Sequence, residues 1–348
     1  MRWWGNFLFV SIMFCIAGLL ALPAFAQSDA VKERDPCAVP NIRTDVRPDA
    51  DGQPTEVSVG IYMIDLLEIN DPNQTLTGDL AVALTWTDLR LAHLEGCEIS
   101  LDDIWSPGLV FINSGRKFQT RPREVGIGPG GSVKYVQRYY GTMATYHQLH
   151  DFPFDSQIIR LSLMPFEWTE EDVQLVVNEK ATGRRELLNI SDWKVEEVKG
   201  AIRSRNKDTQ EGSASVYDFL ITAHRFTSYY LWKVILPLCL IVAMSWCVFW
   251  IDPAQYGPQI GLSATSMLTL IAFIFATTNM VPELGYFTRL DLFIGGSTIL
   301  VFLALLESLT VTYLVSRERK KVAHRFDMGC RFVFPLAFAV LFVVVLFR

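Results

Sequence analysis

Hydrophobic positions follow two different rules along this chain. Up to about residue 225 they come in short alternating runs. Leu80, Val82, Leu84 and Trp86 alternate with Asp79, Ala81, Ala83, Thr85 and Thr87, the period of a strand with one buried face. Val57–Ile64, Val133–Thr145, Ile158–Leu163 and Val216–Ile221 are further strand candidates. Turn residues such as Asp71-Pro72-Asn73 and Gly126–Gly131 punctuate them. Many short strands in this spacing predict an all-β, immunoglobulin-like sandwich over 27–228. Beyond it the apolar residues fuse into four blocks, at about 229–250, 259–279, 289–315 and 330–347. A membrane helix needs about 20 residues, so 229–348 is predicted to be a four-helix transmembrane domain.

Charge sharpens this division. Residues 27–228 hold 21 Lys/Arg against 31 Asp/Glu, whereas 229–348 hold 9 against 6. Such a chain is neither a single soluble globule nor a basic nucleic-acid binder. Arg2, the apolar run from Phe7 to Ala21, and Ala24-Phe25-Ala26 read as a signal peptide over 1–26. Export of the acidic block agrees with the basic run Arg317, Arg319, Lys320, Lys321, Arg325 and Arg331, which places the third connection in the cytoplasm. Cys37 and Cys97 are the two cysteines of the exported block and the candidates for a disulfide, within a chain or across chains. No CxxC or Cys/His spacing suggests zinc, and neither a metal nor a cofactor is expected. Glu170, Glu171 and Asp172 read as a solvated turn, with a calcium-holding cluster as the alternative, and His93, His147, His150 and His224 as solvated or satisfied side chains, with pH sensing as the alternative. No motif of nucleophilic, zinc or phosphate chemistry is present, so an enzyme is not expected.

The second apolar block carries no charge between Ile260 and Thr278, yet is rich in hydroxyls. Stepping along a helix places Gly261, Thr265, Leu268, Ala272, Phe275 and Asn279 on one stripe. Two readings stand at this point. Several copies around an axis could line a water path, with a leucine ring forming a constriction that stops ions by dewetting. Alternatively, the small and hydroxyl residues pack helix against helix.

The block Ile260-Gly-Leu-Ser-Ala-Thr-Ser-Met-Leu-Thr-Leu270 closely resembles the pore-lining helix of glycine and GABA type A receptors. Other motifs stand in order beside it: Trp86-Thr87-Asp88, Trp105-Ser106-Pro107, the proline-loop core Phe152-Pro153-Phe154-Asp155-Ser156-Gln157, and Arg225 twelve residues before Pro237. Together they resemble the pentameric ligand-gated ion channels, the Cys-loop receptor superfamily, over roughly Val57 to Phe347. Thr145 and Ile159 stand where the family's disulfide would bracket the proline loop. The third connection is only about fifteen residues long. Both features are those of the prokaryotic members.

The resemblance implies a homopentamer in a bacterial inner membrane, with the sandwich on the periplasmic side. A small-molecule agonist would bind between neighbouring sandwiches and open a pore for inorganic ions. Phe166, with Trp168 beside it, takes the place of the family's binding-loop tryptophan. Trp86 would come from the neighbour, and Ile112 and Asn113 from the loop after Trp105. Leu268 would be the pore leucine. Asp155, Arg225 and Asp71, with Pro153 and the turn beginning at Pro282, would carry the gating signal between domains. The acidic sandwich favours cations. The alternatives are an anion-selective or proton-gated channel of the same family, or a membrane-anchored periplasmic sensor. Glu307, inside the third block, reads equally as a functional group or as a packing residue.

Overall fold

The computed structural model describes residues 36–49, 52–113, 115–120, 123–206, 212–252, 256–278 and 284–346. The expected signal peptide, together with Asn279 and Pro282, lies outside them. Cys37 and Cys97 are both disulfide-bonded, whereas Cys239, Cys247 and Cys330 are free thiols.

The alternating region folds into strands β1 (Thr55–Asn70), β2 (Thr75–Thr87), β3 (Glu98–Ser100), β4 (Leu109–Phe111), β5 (Gly115–Thr120), β6 (Glu124–Gly128), β7 (Ser132–Ala144), β8 (Ser156–Pro165), β9 (Val173–Val177), β10 (Gly183–Arg184), β11 (Trp193–Asn206) and β12 (Ser213–Arg225). One sheet runs β10-β1-β2-β7-β6-β3, with β5 added against β7 and β9 against β1. The other runs β11-β12-β8-β4. Alternation decides which side chains fill the space between the sheets. Val57, Val59, Ile61 and Met63 of β1, Leu80, Val82 and Leu84 of β2, Ile159, Leu161 and Leu163 of β8, and Phe219 and Ile221 of β12 are all buried.

Four helices long and apolar enough to cross a membrane follow: α1 (Ser228–Trp250), α2 (Tyr256–Thr277), α3 (Arg289–Ser316) and α4 (Lys320–Leu346). In α1 a π-helical turn, Leu231–Ile235, precedes Pro237. Pro237 has no amide hydrogen to give, which breaks the regular ladder at this level. A capping box starts α3, where Thr288 and Asp291 each bond the other's backbone amide. The fourth helix begins at Lys320, ten residues before the apolar block that predicts it. The connection expected to hold about fifteen residues is therefore Arg317–Arg319 alone. Hydropathy marks only the apolar length of a helix, whereas the more polar residues 320–329, with Lys320, Lys321, Ala323, Arg325 and Met328 among them as good helix formers, continue it.

Candidate functional site

The pore candidates occupy one face of α2. Gly261, Thr265, Leu268, Ala272 and Phe275 are all exposed in the protomer, with Leu268 at 68% and Phe275 at 74%. The opposite face holds Ser263, Ser266, Leu270 and Thr277, all buried. Ser263 Oγ lies 2.8 Å from Ser308 Oγ on α3. Thr265 and Thr269, on the open face, donate to the carbonyls of Gly261 and Thr265 at 2.8 Å. The hydroxyls thus divide between both sequence readings. Ser263 packs helix to helix, and Thr265 and Thr269 face outward with their oxygens still able to accept bonds from water.

The ligand candidates do not form one cluster. Phe166 is 64% exposed and lines a groove with Trp168, Asp45, Asp102, Glu167 and Arg123. Two of its three acids already face arginines: Asp45 Oδ2 is 2.6 Å from Arg43, and Asp102 Oδ1 is 3.0 Å from Arg123. Trp86, expected at the partner face, is instead 2% exposed inside its own sandwich. It packs edge-on against Trp105 at 6.0 Å, and Trp105 meets Trp168 at 5.9 Å. The cause is strand parity. Trp86 shares the inward face of β2 with Leu80, Val82 and Leu84, so its side chain enters the core. Asn113 is also committed locally. Its amide donates to the Ala144 and Arg160 carbonyls at 2.8 and 3.1 Å, and its Oδ1 accepts from the Ser162 amide at 2.8 Å. It braces β7 against β8 rather than presenting a free amide. Ile112 is half-buried, and its amide donates to the Ser162 carbonyl. Trp86→Phe is expected to destabilise the sandwich by roughly 1–2 kcal/mol through the space left behind, read as a lowered melting temperature of the solubilised protein.

Asp155, Arg225 and Asp71, expected to carry the gating signal, do come together. Arg225 ends β12, Asp71 begins the β1–β2 turn, and Asp155 immediately precedes β8. Arg225 Nε donates to Asp155 Oδ1 at 2.8 Å, and Nη1 to Asp71 Oδ2 at 2.6 Å. All three are buried. The guanidinium lies over the rings of Trp193 and Phe152, 4.1 and 4.8 Å from their centroids. Burial works to lower the Arg225 pKa, but the bonds and charges of Asp155 and Asp71 outweigh it and hold the value above the ordinary one. Burial likewise works to raise Asp71, yet its bonds to His147 and Arg225 hold that carboxyl below its usual range.

This joint is inserted into the membrane domain. Leu149 and Phe152 share a buried cluster with Val234, Ile235 and Leu238 of α1, Leu270 of α2, and Leu290 and Phe293 of α3. Pro153, behind a cis Phe152–Pro153 bond, is buried in the same loop. Contacts that no sequence motif marks complete it. His150 stacks on Tyr286 with ring centroids 3.9 Å apart, the Leu149 amide donates to the Tyr286 hydroxyl at 3.1 Å, and Arg289 Nη2 pairs with Asp151 Oδ1 at 2.7 Å. The amides of Arg289 and Leu290 donate to the carbonyls of His150 and Phe152. Movement of the proline loop must therefore displace the start of α3, because packed apolar contacts and backbone bonds tie the two together.

Comparison with known proteins agrees with this geometry. Residues 41–225 match the neurotransmitter-gated ion-channel ligand binding domain, and residues 234–325 match the neurotransmitter-gated ion-channel transmembrane region. The chain is 24% identical over 301 residues to a proton-gated ion channel of Gloeobacter violaceus, covering 85% of this chain and 83% of that one. It is 25% identical over 327 residues to the gamma-aminobutyric acid receptor subunit beta-4 of Gallus gallus, covering 89% and 67%. It is 26% identical over 324 residues to the receptor subunit rho-2 of Bos taurus, covering 87% and 69%. A two-sheet sandwich joined through a buried arginine hub to four membrane helices, matched along both of its parts, belongs to the neurotransmitter-gated ion-channel family, and the protein is a multi-pass membrane protein of the ligand-gated channels.

Proposed function

We propose that this chain assembles as a homopentamer in the bacterial inner membrane, with its sandwich on the periplasmic side. A small-molecule agonist held between neighbouring sandwiches opens a cation-conducting pore lined by α2. The observation that carries this reading is the divided face of α2. Its buried Ser263 is spent on α3, while Gly261, Thr265, Leu268, Ala272 and Phe275 are exposed in the protomer. Copies related by a closing rotation bring that face to an axis. There the threonines line the cytoplasmic half and Leu268 makes the apolar constriction.

The agonist site is the groove at Phe166 and Trp168, covered by the next subunit. Trp86 and Asn113 have no part in it, since both are committed inside their own sandwich. Cation preference is supported by the acidic sandwich above a helix with no charge from Tyr256 to Thr277. Clefts lined by one sign of charge concentrate the opposite ion.

Reversal potentials measured under a NaCl gradient across planar bilayers are expected to move towards the sodium equilibrium potential. Movement towards that of chloride overturns the cation assignment. Pentamers that stay silent under broad agonist and pH screening overturn the conducting role itself.

A further inference from the structure

Asp71 is shared between two groups of different character. Its Oδ2 accepts from Arg225, a permanent cation, and its Oδ1 lies 3.1 Å from Nδ1 of His147. His147 is 1% exposed, in the connection between β7 and β8. Its Nε2 lies 2.8 Å from Thr145 Oγ1, and its backbone amide donates to Gln74 Oε1 at 2.7 Å. Both ring nitrogens and the backbone amide of this histidine are thus placed, and the sequence offered no reason to separate it from the other histidines.

The charged and titratable groups around it come from four elements. Asp71 comes from the β1–β2 turn, Asp155 from the residues just before β8, Arg225 from the end of β12, and Tyr230 of α1 packs on Phe152 beneath them. With a neutral ring, two carboxylates face one guanidinium. A proton on the ring balances the cluster. The neutral ring donates from Nδ1 to Asp71 and accepts at Nε2 from the Thr145 hydroxyl, as these partners assign it. Protonation at Nε2 turns that bond around, so the Thr145 oxygen must accept. The added charge strengthens the ring's hold on Asp71 in competition with Arg225.

We propose that His147 is a positioning residue for Asp71, and that proton uptake by its ring from the periplasmic side changes the Asp71–Arg225 contact and with it channel opening. The inference rests on the Asp71–Arg225–Asp155 cluster being the coupling joint. Asp71 itself is held below the usual carboxylate range. Its own protonation therefore stays outside the window, about pH 5 to 8, in which histidines change charge.

The test uses spontaneous current of a Leu268→Ala channel in planar bilayers, with periplasmic-side pH stepped from about 5 to 8 and no agonist present. The current is expected to change at least about threefold across the window, and His147→Gln in the same background to flatten that dependence. Thr145→Val leaves the charged ring's Nε2–H without an acceptor and is expected to move the midpoint to lower pH. A pH-independent parent, or a His147→Gln channel that keeps the profile, overturns the proposal. Melting of the solubilised protein across the same window gives a second readout that needs no current. Wild type and His147→Gln should differ in pH dependence, and identical dependence overturns the proposal too. Asp155→Ala separates the two layers. If it leaves opening intact, the coupling joint is misassigned. If it uncouples opening while His147→Gln keeps the profile, only the role of His147 fails.

Discussion

Asp155→Ala is expected to yield channels that assemble but no longer open in response to agonist. The side chain is buried, accepts two bonds from Arg225, and accepts a third from Gln157 Nε2. Removing it takes two charge-assisted bonds from a buried guanidinium that keeps Asp71 as its remaining carboxylate partner, at a cost of about 1.5–3 kcal/mol for each bond and about 3–6 kcal/mol for the two together. Here the loss falls on the buried ion pair that joins Asp155, just before β8, to the end of β12, where the strand ladder between β8 and β12 begins. Because 1.4 kcal/mol is about tenfold in an equilibrium, even a third of that cost removes most of the response. Asp155→Asn keeps the shape and removes only the charge, so it separates misassembly from uncoupling. Maximal currents should fall at least about tenfold in both variants, with pentamers counted by native gel or light scattering. Correctly assembled Asp155→Asn channels with undiminished currents would show that the cluster is a static structural pair.

Leu268→Ala is expected to act in the opposite sense and raise the open fraction without agonist. In the proposed pentamer the leucines form a ring that water avoids. Truncating one removes apolar surface worth roughly 2 kcal/mol, and five subunits change together. The closed state loses its dry constriction while the open state, already wetted, loses little. The closed–open equilibrium should therefore move by more than about tenfold towards conduction. Leak current from reconstituted protein, blocked in proportion by a pore-occluding cation, reads this directly. A variant that stays closed would place the gate elsewhere on α2, at Ala272 or Phe275. The neighbouring Ser266→Ala offers the control. Ser266 is buried away from this face and bonds the Leu262 carbonyl within its own helix, so its loss should not produce leak.

Trp86 shows how far sequence reasoning carried and where it erred. The alternation that identifies β2 also assigns Trp86 to the inward face, so the core position was legible from parity alone. The resemblance of Trp86-Thr87-Asp88 to a binding strand pointed the other way, and the fold sided with parity. Asp155 and Arg225 stand in motifs of fixed spacing, whereas Asp71 stands only in a turn after the first strand. His147, His150, Tyr286 and Arg289 stand in none. Their contacts span between two and 139 residues of chain, and a sequence read locally does not rank one histidine above another.

From the sequence alone follow the two-part architecture, the strand faces and the charge-free stripe of α2. Each is a local property, since hydropathy, period and charge are summed over neighbouring residues. Tertiary structure alone decided which hydroxyls of α2 pack on α3 and which stay open, that Asn113 is a brace, and that the proline loop enters the core of the helices. Burial and hydrogen bonding depend on partners brought together by folding. A side chain's role is therefore set by what reaches it, and for Asp71 that is Arg225 on one oxygen and His147 on the other.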